Sequence, residues 1–182
     1  SIFIEDARTF VRRCSKKYDV VIIDLYHGDG IRAHVVSKEF FEDIKACVSK
    51  NGTVLMNTFY GVKNLSSKKA LLKTISDVFG SVVAFEAPLK SDADITQGYL
   101  LARNVIGNWN FSVTLNGVPE LTLKRLLPIL KNWVAYTSEH EFFNDIDSIR
   151  DGSNDWVRQA NYVDITYRKR LTQSVPWQVL LD

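Results

Sequence analysis

The sequence predicts an α/β layer structure with a mainly parallel sheet, and three observations carry that expectation. Strand-like and helix-like segments alternate from the first residues to Arg103. The strand-like runs, "DVVIID" and "TVLMNTF" among them, are apolar with almost no polar alternate, the pattern of parallel strands covered on both faces. The helix-like runs open on capping residues and close on glycine, so each unit has its own start and stop.

In chain order, "SIFIE" is apolar and β-branched and predicts a strand over residues 2–5. Asp6 is placed to cap a helix whose Ala7, Phe10, Val11 and Cys14 fall on one face. A second strand over 19–24 ends on the carboxylate of Asp24, and a turn carrying His27, Gly28, Asp29 and Gly30 follows, with His34 just beyond. Ser37 caps the next helix, where Phe40, Phe41, Ile44 and Val48 make a stripe, and Asn51-Gly52 supplies a left-handed stop. A third strand covers 53–58. A helix from Ser67 to Phe79 turns Leu71, Leu72, Ile75, Val78 and Phe79 inward and ends at Gly80, before strands over 82–87 and 97–102. The strands over 19–24, 53–58 and 82–87 are expected to be buried.

Beyond Arg103 the texture changes, which divides the chain into a domain over 1–103 and an α-rich C-terminal extension over 104–182 packed on it. "NWNFSVTLNGVPE" reads as a strand and a turn, Pro119 suits a first helical position, and Pro128 should interrupt the helix that follows. Ser138 and Glu141 form a capping box ahead of a helix bearing Phe142, Phe143, Ile146 and Ile149, with Asp151-Gly152 as its stop. The closing stretch, with Trp156, Tyr162, Tyr167 and Trp177, is aromatic enough to be packed.

Composition narrows the function classes. The 23 basic and 21 acidic side chains nearly cancel, and the short basic runs, such as "RKR" at 168–170, are solvated faces, so neither nucleic acid nor an anionic membrane is an expected partner. No run reaches the ~18 apolar residues of a membrane span. Cys14 and Cys47 lack the paired spacing of a metal site, and no other cluster suits zinc or calcium. Reduced thiols and a cytoplasmic setting are the expectation.

In open α/β sheets, ligands sit outside the carboxyl ends of the strands. Asp24 and Asn57 lie at such ends, as does Asp6 after "SIFIE". A carboxylate there can bind an amine or a ribose hydroxyl, or take a proton from a nucleophile, and it can equally be a plain turn or capping residue.

The run "DLYHGDGIRAHVVSKEFF", preceded by "EDARTFVRRCSKKYDVVII" and followed by "NGTVLMNTF", resembles spermidine synthases and, more closely, the bacterial spermidine synthase-like proteins. The resemblance covers about residues 1–103. It implies a Rossmann-like fold of the S-adenosylmethionine-dependent methyltransferase type, with aminopropyl transfer from decarboxylated S-adenosylmethionine to a polyamine acceptor. Alternatives it leaves open are methyl transfer from S-adenosylmethionine and a noncatalytic or partner-completed domain. Carried over by position, Asp6 would contact the adenine amino group with Ala7 against the ring, Asp24 would be general base or amine anchor, and Tyr26 and Asp29 would bind the acceptor amine. The usual glutamine after the third strand stands here as Asn57. His27 and His34 have no evident partner in the sequence.

The family's sheet begins with strands and a glycine-rich loop that cradles the donor's methionine end. The glycines of this chain are scattered at turns, with no Gly-x-Gly cluster. The sheet is therefore expected to lack its first strands, leaving a vacancy between "SIFIE" and "DVVIID". A missing N-terminal segment or a second copy of the chain is the expected partner at the open edges. Weak cofactor binding is expected of this chain alone.

Overall fold

The computed structural model describes residues 2–26, 31–62, 65–87, 95–104, 109, 116–152 and 156. Its elements are α1 (Ala7–Arg12), β1 (Tyr18–Ile23), α2 (Lys38–Cys47), β2 (Val48–Gly61), α3 (Ser66–Phe79), β3 (Ser81–Glu86), β4 (Ile95–Arg103), α4 (Glu120–Lys131) and β5 (Trp133–Thr137). The strands form one sheet in the order β1-β2-β4-β3-β5.

The α/β expectation holds, with a mixed sheet in place of a mainly parallel one. β1 and β2 are parallel, whereas β4 runs antiparallel to both β2 and β3, and β5 runs antiparallel to β3. Because β4 inserts between β2 and β3, the strands β1, β2 and β3 still share one direction, and their carboxyl ends lie along one rim of the sheet. Strands that share a direction need a crossover connection, and α2 makes it between β1 and β2 as α3 does between β2 and β3.

The core is built as the helical stripes require. Phe40, Phe41 and Ile44 of α2 and Leu71, Leu72 and Ile75 of α3 meet Val54, Met56, Val82, Ala84 and Leu100 of the sheet in one buried cluster. Ser37 caps α2, its hydroxyl accepting from Phe40 N at 3.3 Å, and Gly80 closes α3 with φ 86°. Gly80 is thus the left-handed position that favours glycine.

Several expected elements differ. Residues 2–5 form no strand, and Ile2, Phe3 and Ile4 are exposed. β1 is buried at Ile23 alone: Val20 and Ile22, which share one face of the strand, keep 59% and 68% of their surface because nothing among the described residues covers that face. Its unbroken apolar character is that of a covered strand, yet nothing among the described residues pairs with its outer edge.

Asn51-Gly52 is not a left-handed stop, since α2 gives way to β2 at Val48 without a break. Between Val48 and Thr53 the register with β1 slips, and Gly52 lies there against the neighbouring strand. A Cβ at Gly52 would stand 2.5 Å from Val48 Cγ1 and 2.9 Å from the Tyr18 carbonyl oxygen. Backbone cannot yield as a side chain can, so Gly52→Ala is expected to cost about 1–3 kcal/mol in urea unfolding. A cost below ~0.5 kcal/mol, the range of an ordinary surface change, would contradict this packing.

After Gly117 the chain differs again. Pro119 is the N-cap of α4, not its first helical residue, and Pro128 lies within α4 without ending it. No residue of α4 is buried, and the Lys124 carbonyl that Pro128 leaves unbonded belongs to an exposed residue that water can serve. The predicted helix after Ser138 is only a short 3-10 turn, Glu141–Phe143, capped by His140. Residues 146–150 form no helix, and Ile149 bonds to distant elements instead: its N–H donates to Thr74 Oγ1 at 2.8 Å and its carbonyl accepts from Lys38 N at 2.7 Å. Phe143, Ile149 and Trp156 join the same core as the sheet. The strand expected within 110–115 and the aromatic residues Tyr162, Tyr167 and Trp177 lie outside the described residues.

Candidate functional site

The common carboxyl rim of β1, β2 and β3 gathers polar side chains. Asp24, the first residue after β1, is exposed, and Asn57 Nδ2 donates to its Oδ1 at 3.0 Å. Gln97, near the start of antiparallel β4, donates from Nε2 to Asn57 Oδ1 at 3.0 Å. This chain of bonds fixes which way the Asn57 amide faces: its oxygen is used by Gln97, so its NH₂ group is turned to the carboxylate. Asp24 is thereby held by one oxygen, and its second has no partner among the described residues. Tyr26 packs its ring against Phe59 of β2, centroids 5.7 Å apart, beside this rim.

Asp6 is the N-cap of α1, its Oδ1 accepting from Thr9 N at 3.1 Å, while its Oδ2 lies 3.0 Å from His34 Nε2. The His34 hydrogen bond, with the Thr9 amide second, holds the Asp6 carboxyl below the usual aspartate range. A carboxylate has about four acceptor positions, so a further donor can still be received. A mainly apolar groove of about 330 Å³ opens among α1, β1 and α2, lined by Phe3, Ala7, Phe10, Ile22 and Leu25 among others, whereas Asp6 lines a separate polar hollow with Arg8, His34 and Asp151. Ala7 has the smallest side chain in that lining.

The expected site residues therefore fall into two groups. Asp6 and Ala7 stand at the start of α1, Ala7 lining the groove and Asp6 the polar hollow with His34, and Asp24 and Tyr26 stand at the rim with Asn57. Asp29, with His27, lies outside the described residues. His34 has the partner its sequence context did not reveal.

Sequence reasoning missed Gln97, Arg8 and Asp151. Arg8 is the buried residue of α1, 6% exposed, and donates bidentately to Asp151, at 2.6 and 2.5 Å, as well as to Ser37 Oγ and the His34 carbonyl, each at 2.9 Å. An arginine amid charged neighbours carries no local signal of burial, and its partner lies far along the chain. The Arg8 hydrogen bonds hold the Asp151 carboxyl below the usual aspartate range, with the Ser37 hydroxyl adding to them. A carboxylate whose folded pKa is depressed contributes stability that is fully present above its unfolded value, near 4, and is lost as pH falls through the folded value. Stability should accordingly fall below about pH 4, and Asp151→Asn should flatten that part of the profile of urea midpoint against pH. An acid slope untouched by the substitution would contradict this.

Parallel strands joined by a helix, with polar groups gathered where the strands end, define a Rossmann-like α/β domain. The chain belongs to the spermine/spermidine synthase domain family, which matches residues 1–103. Among curated proteins it is similar to the polyamine aminopropyltransferase of Vibrio vulnificus, 32% identical over 89 residues that make up 47% of this chain and 29% of that protein. It is also similar to polyamine aminopropyltransferase 2 of Hyperthermus butylicus, 24% identical over 143 residues, 78% of this chain and 46% of that protein. The chain thus spans less than half the length of either relative. In fold it is similar to a probable spermidine synthase from Corynebacterium glutamicum, with a TM-score of 0.60 at 18% identity, covering 83% of this chain and 54% of that one.

Proposed function

We propose that this chain carries part of an aminopropyltransferase site that moves the aminopropyl group of decarboxylated S-adenosylmethionine to a polyamine acceptor. The observation that supports the reading most is the pairing of an apolar groove at Ala7 and Leu25 with an oriented carboxylate, Asp24, at the adjoining strand end. In this reading Asp6 receives the adenine amino group, Ala7 lies against the ring, and Tyr26 with Asp29 holds the acceptor. The acceptor amine attacks the carbon beside the sulfonium, its nitrogen gains positive charge, and a neutral thioether leaves. Asp24 orients the amine, stabilises the growing charge and takes the proton. Residues 104–182 serve as an extension that closes the β3 side of the sheet through β5.

The open edge of β1 favours a second element of the proposal. β1 has a partner on one edge only among the described residues, so its other edge calls for a further strand, either from an N-terminal segment or from a second copy, and the site is complete only with it. Such further protein also supplies the contacts to the donor's methionine end, for which this chain has no Gly-x-Gly cluster. Mass spectrometry of reactions containing a diamine and decarboxylated S-adenosylmethionine, run with β1 so covered, tests the reading. An acceptor heavier by one aminopropyl group supports it. A methylated acceptor formed from S-adenosylmethionine, with no aminopropyl product from the decarboxylated donor, would replace it with methyl transfer.

A further inference from the structure

We propose that Cys14 and Cys47 form a redox-modification site, at which a peroxide-class oxidant joins them in an intramolecular disulfide that staples the end of α1 to the end of α2. The fold brings together two cysteines that are remote in sequence. Cys14 lies just beyond α1 and Cys47 is the last residue of α2. Both converge on one carbonyl: Val11 O accepts from Cys14 N at 3.2 Å and from Cys47 Sγ at 3.4 Å. Each thiol donates to its own carbonyl, Cys14 Sγ to Lys16 O at 3.1 Å and Cys47 Sγ to Val11 O, and neither is in a disulfide.

Their surroundings set the order of reaction. Cys14 is half-buried and lines a hollow of about 470 Å³ with Phe10, Arg13, Lys16 and Tyr18, so a small oxidant reaches it from solvent. Cys47 is buried, and burial together with the neighbouring Cys14 thiol pushes its own thiol up to about 12. Cys14 sulfur therefore attacks the peroxide oxygen first, giving a sulfenic acid and one water. Cys47 sulfur then attacks Cys14 sulfur, its proton leaving with the displaced hydroxyl as a second water. Two thiols and one peroxide become one disulfide and two waters, with two electrons passed to the peroxide. The protonated state of Cys47 makes the second step the slow one.

The experiment treats the purified chain with excess hydrogen peroxide, followed by maleimide labelling under denaturing conditions, intact mass and peptide mapping. The expected product is a monomer lighter by two hydrogens, unlabelled by maleimide, with the 14 and 47 peptides linked and both labels restored by dithiothreitol. Its melting temperature should rise by roughly 5 °C, as a cross-link closing a loop of this kind implies. Cys47→Ser should leave Cys14 at the sulfenic acid, trapped by dimedone. Separate oxygen adducts on the two cysteines, or disulfides only between chains, would overturn the proposal.

Discussion

Arg8→Met is expected to lower the stability of the folded chain by about 3 kcal/mol, the low end of the range for breaking a buried ion pair. The guanidinium is enclosed by four elements: its own helix α1, the cap of α2 at Ser37, the His34 backbone and the Asp151 turn. Methionine preserves most of the packing volume, so the loss measures the polar network rather than a cavity. Asp151 is only partly buried and can regain water, which keeps the effect from the upper end. Ser37 Oγ would retain its bond from Phe40 N, so α2 should keep its start. Urea unfolding should show a lower midpoint with an unchanged slope. A loss below about 0.5 kcal/mol would mean that the network contributes no more than a surface contact.

Asp24→Asn should lower the rate of aminopropyl transfer by 100-fold or more in the assembled enzyme, since one general base typically contributes about 10²–10⁴. The substitution keeps shape and volume. It removes the negative charge that the proposed cationic acceptor requires, and it sets an amide against the Asn57 NH₂ group that now donates to Oδ1. Circular dichroism should be unchanged, because Asp24 is exposed and outside the strand. A transfer rate within a few-fold of the parent would reduce Asp24 to a strand-end residue without a chemical role.

What could be read from the sequence and what could not divide along a physical line. α3 was legible because Leu71, Leu72, Ile75, Val78 and Phe79 repeat at helical spacing and Gly80 supplies the one backbone conformation that stops it. Asp6 and Ser37 were legible as caps because a cap bonds within three residues. The antiparallel insertion of β4 was not, since the apolar pattern of a strand reads alike in either direction. Nor was the exposure of β1: "DVVIID" records the covering that a strand needs, not whether that covering is present. Ile149 satisfied a helical stripe and yet lies outside any helix, its backbone bonded to Thr74 and Lys38, a choice made by tertiary hydrogen bonds. The same holds at the rim, where Asp24 and Asn57 were visible as strand-end residues while Gln97, which orients them, is brought in by sheet pairing alone.

The central claim is that Asp6, Ala7 and Leu25 form the adenine end of a donor site whose other end this chain does not supply. Amide NMR of the 182-residue chain during titration with decarboxylated S-adenosylmethionine tests it most directly. The account predicts shifts centred on Asp6, Ala7 and Leu25 that saturate only at about millimolar donor, the affinity of a partial site worth roughly 4 kcal/mol. Saturation at micromolar donor by a monomer would contradict it, as would millimolar donor that leaves those three amides unmoved.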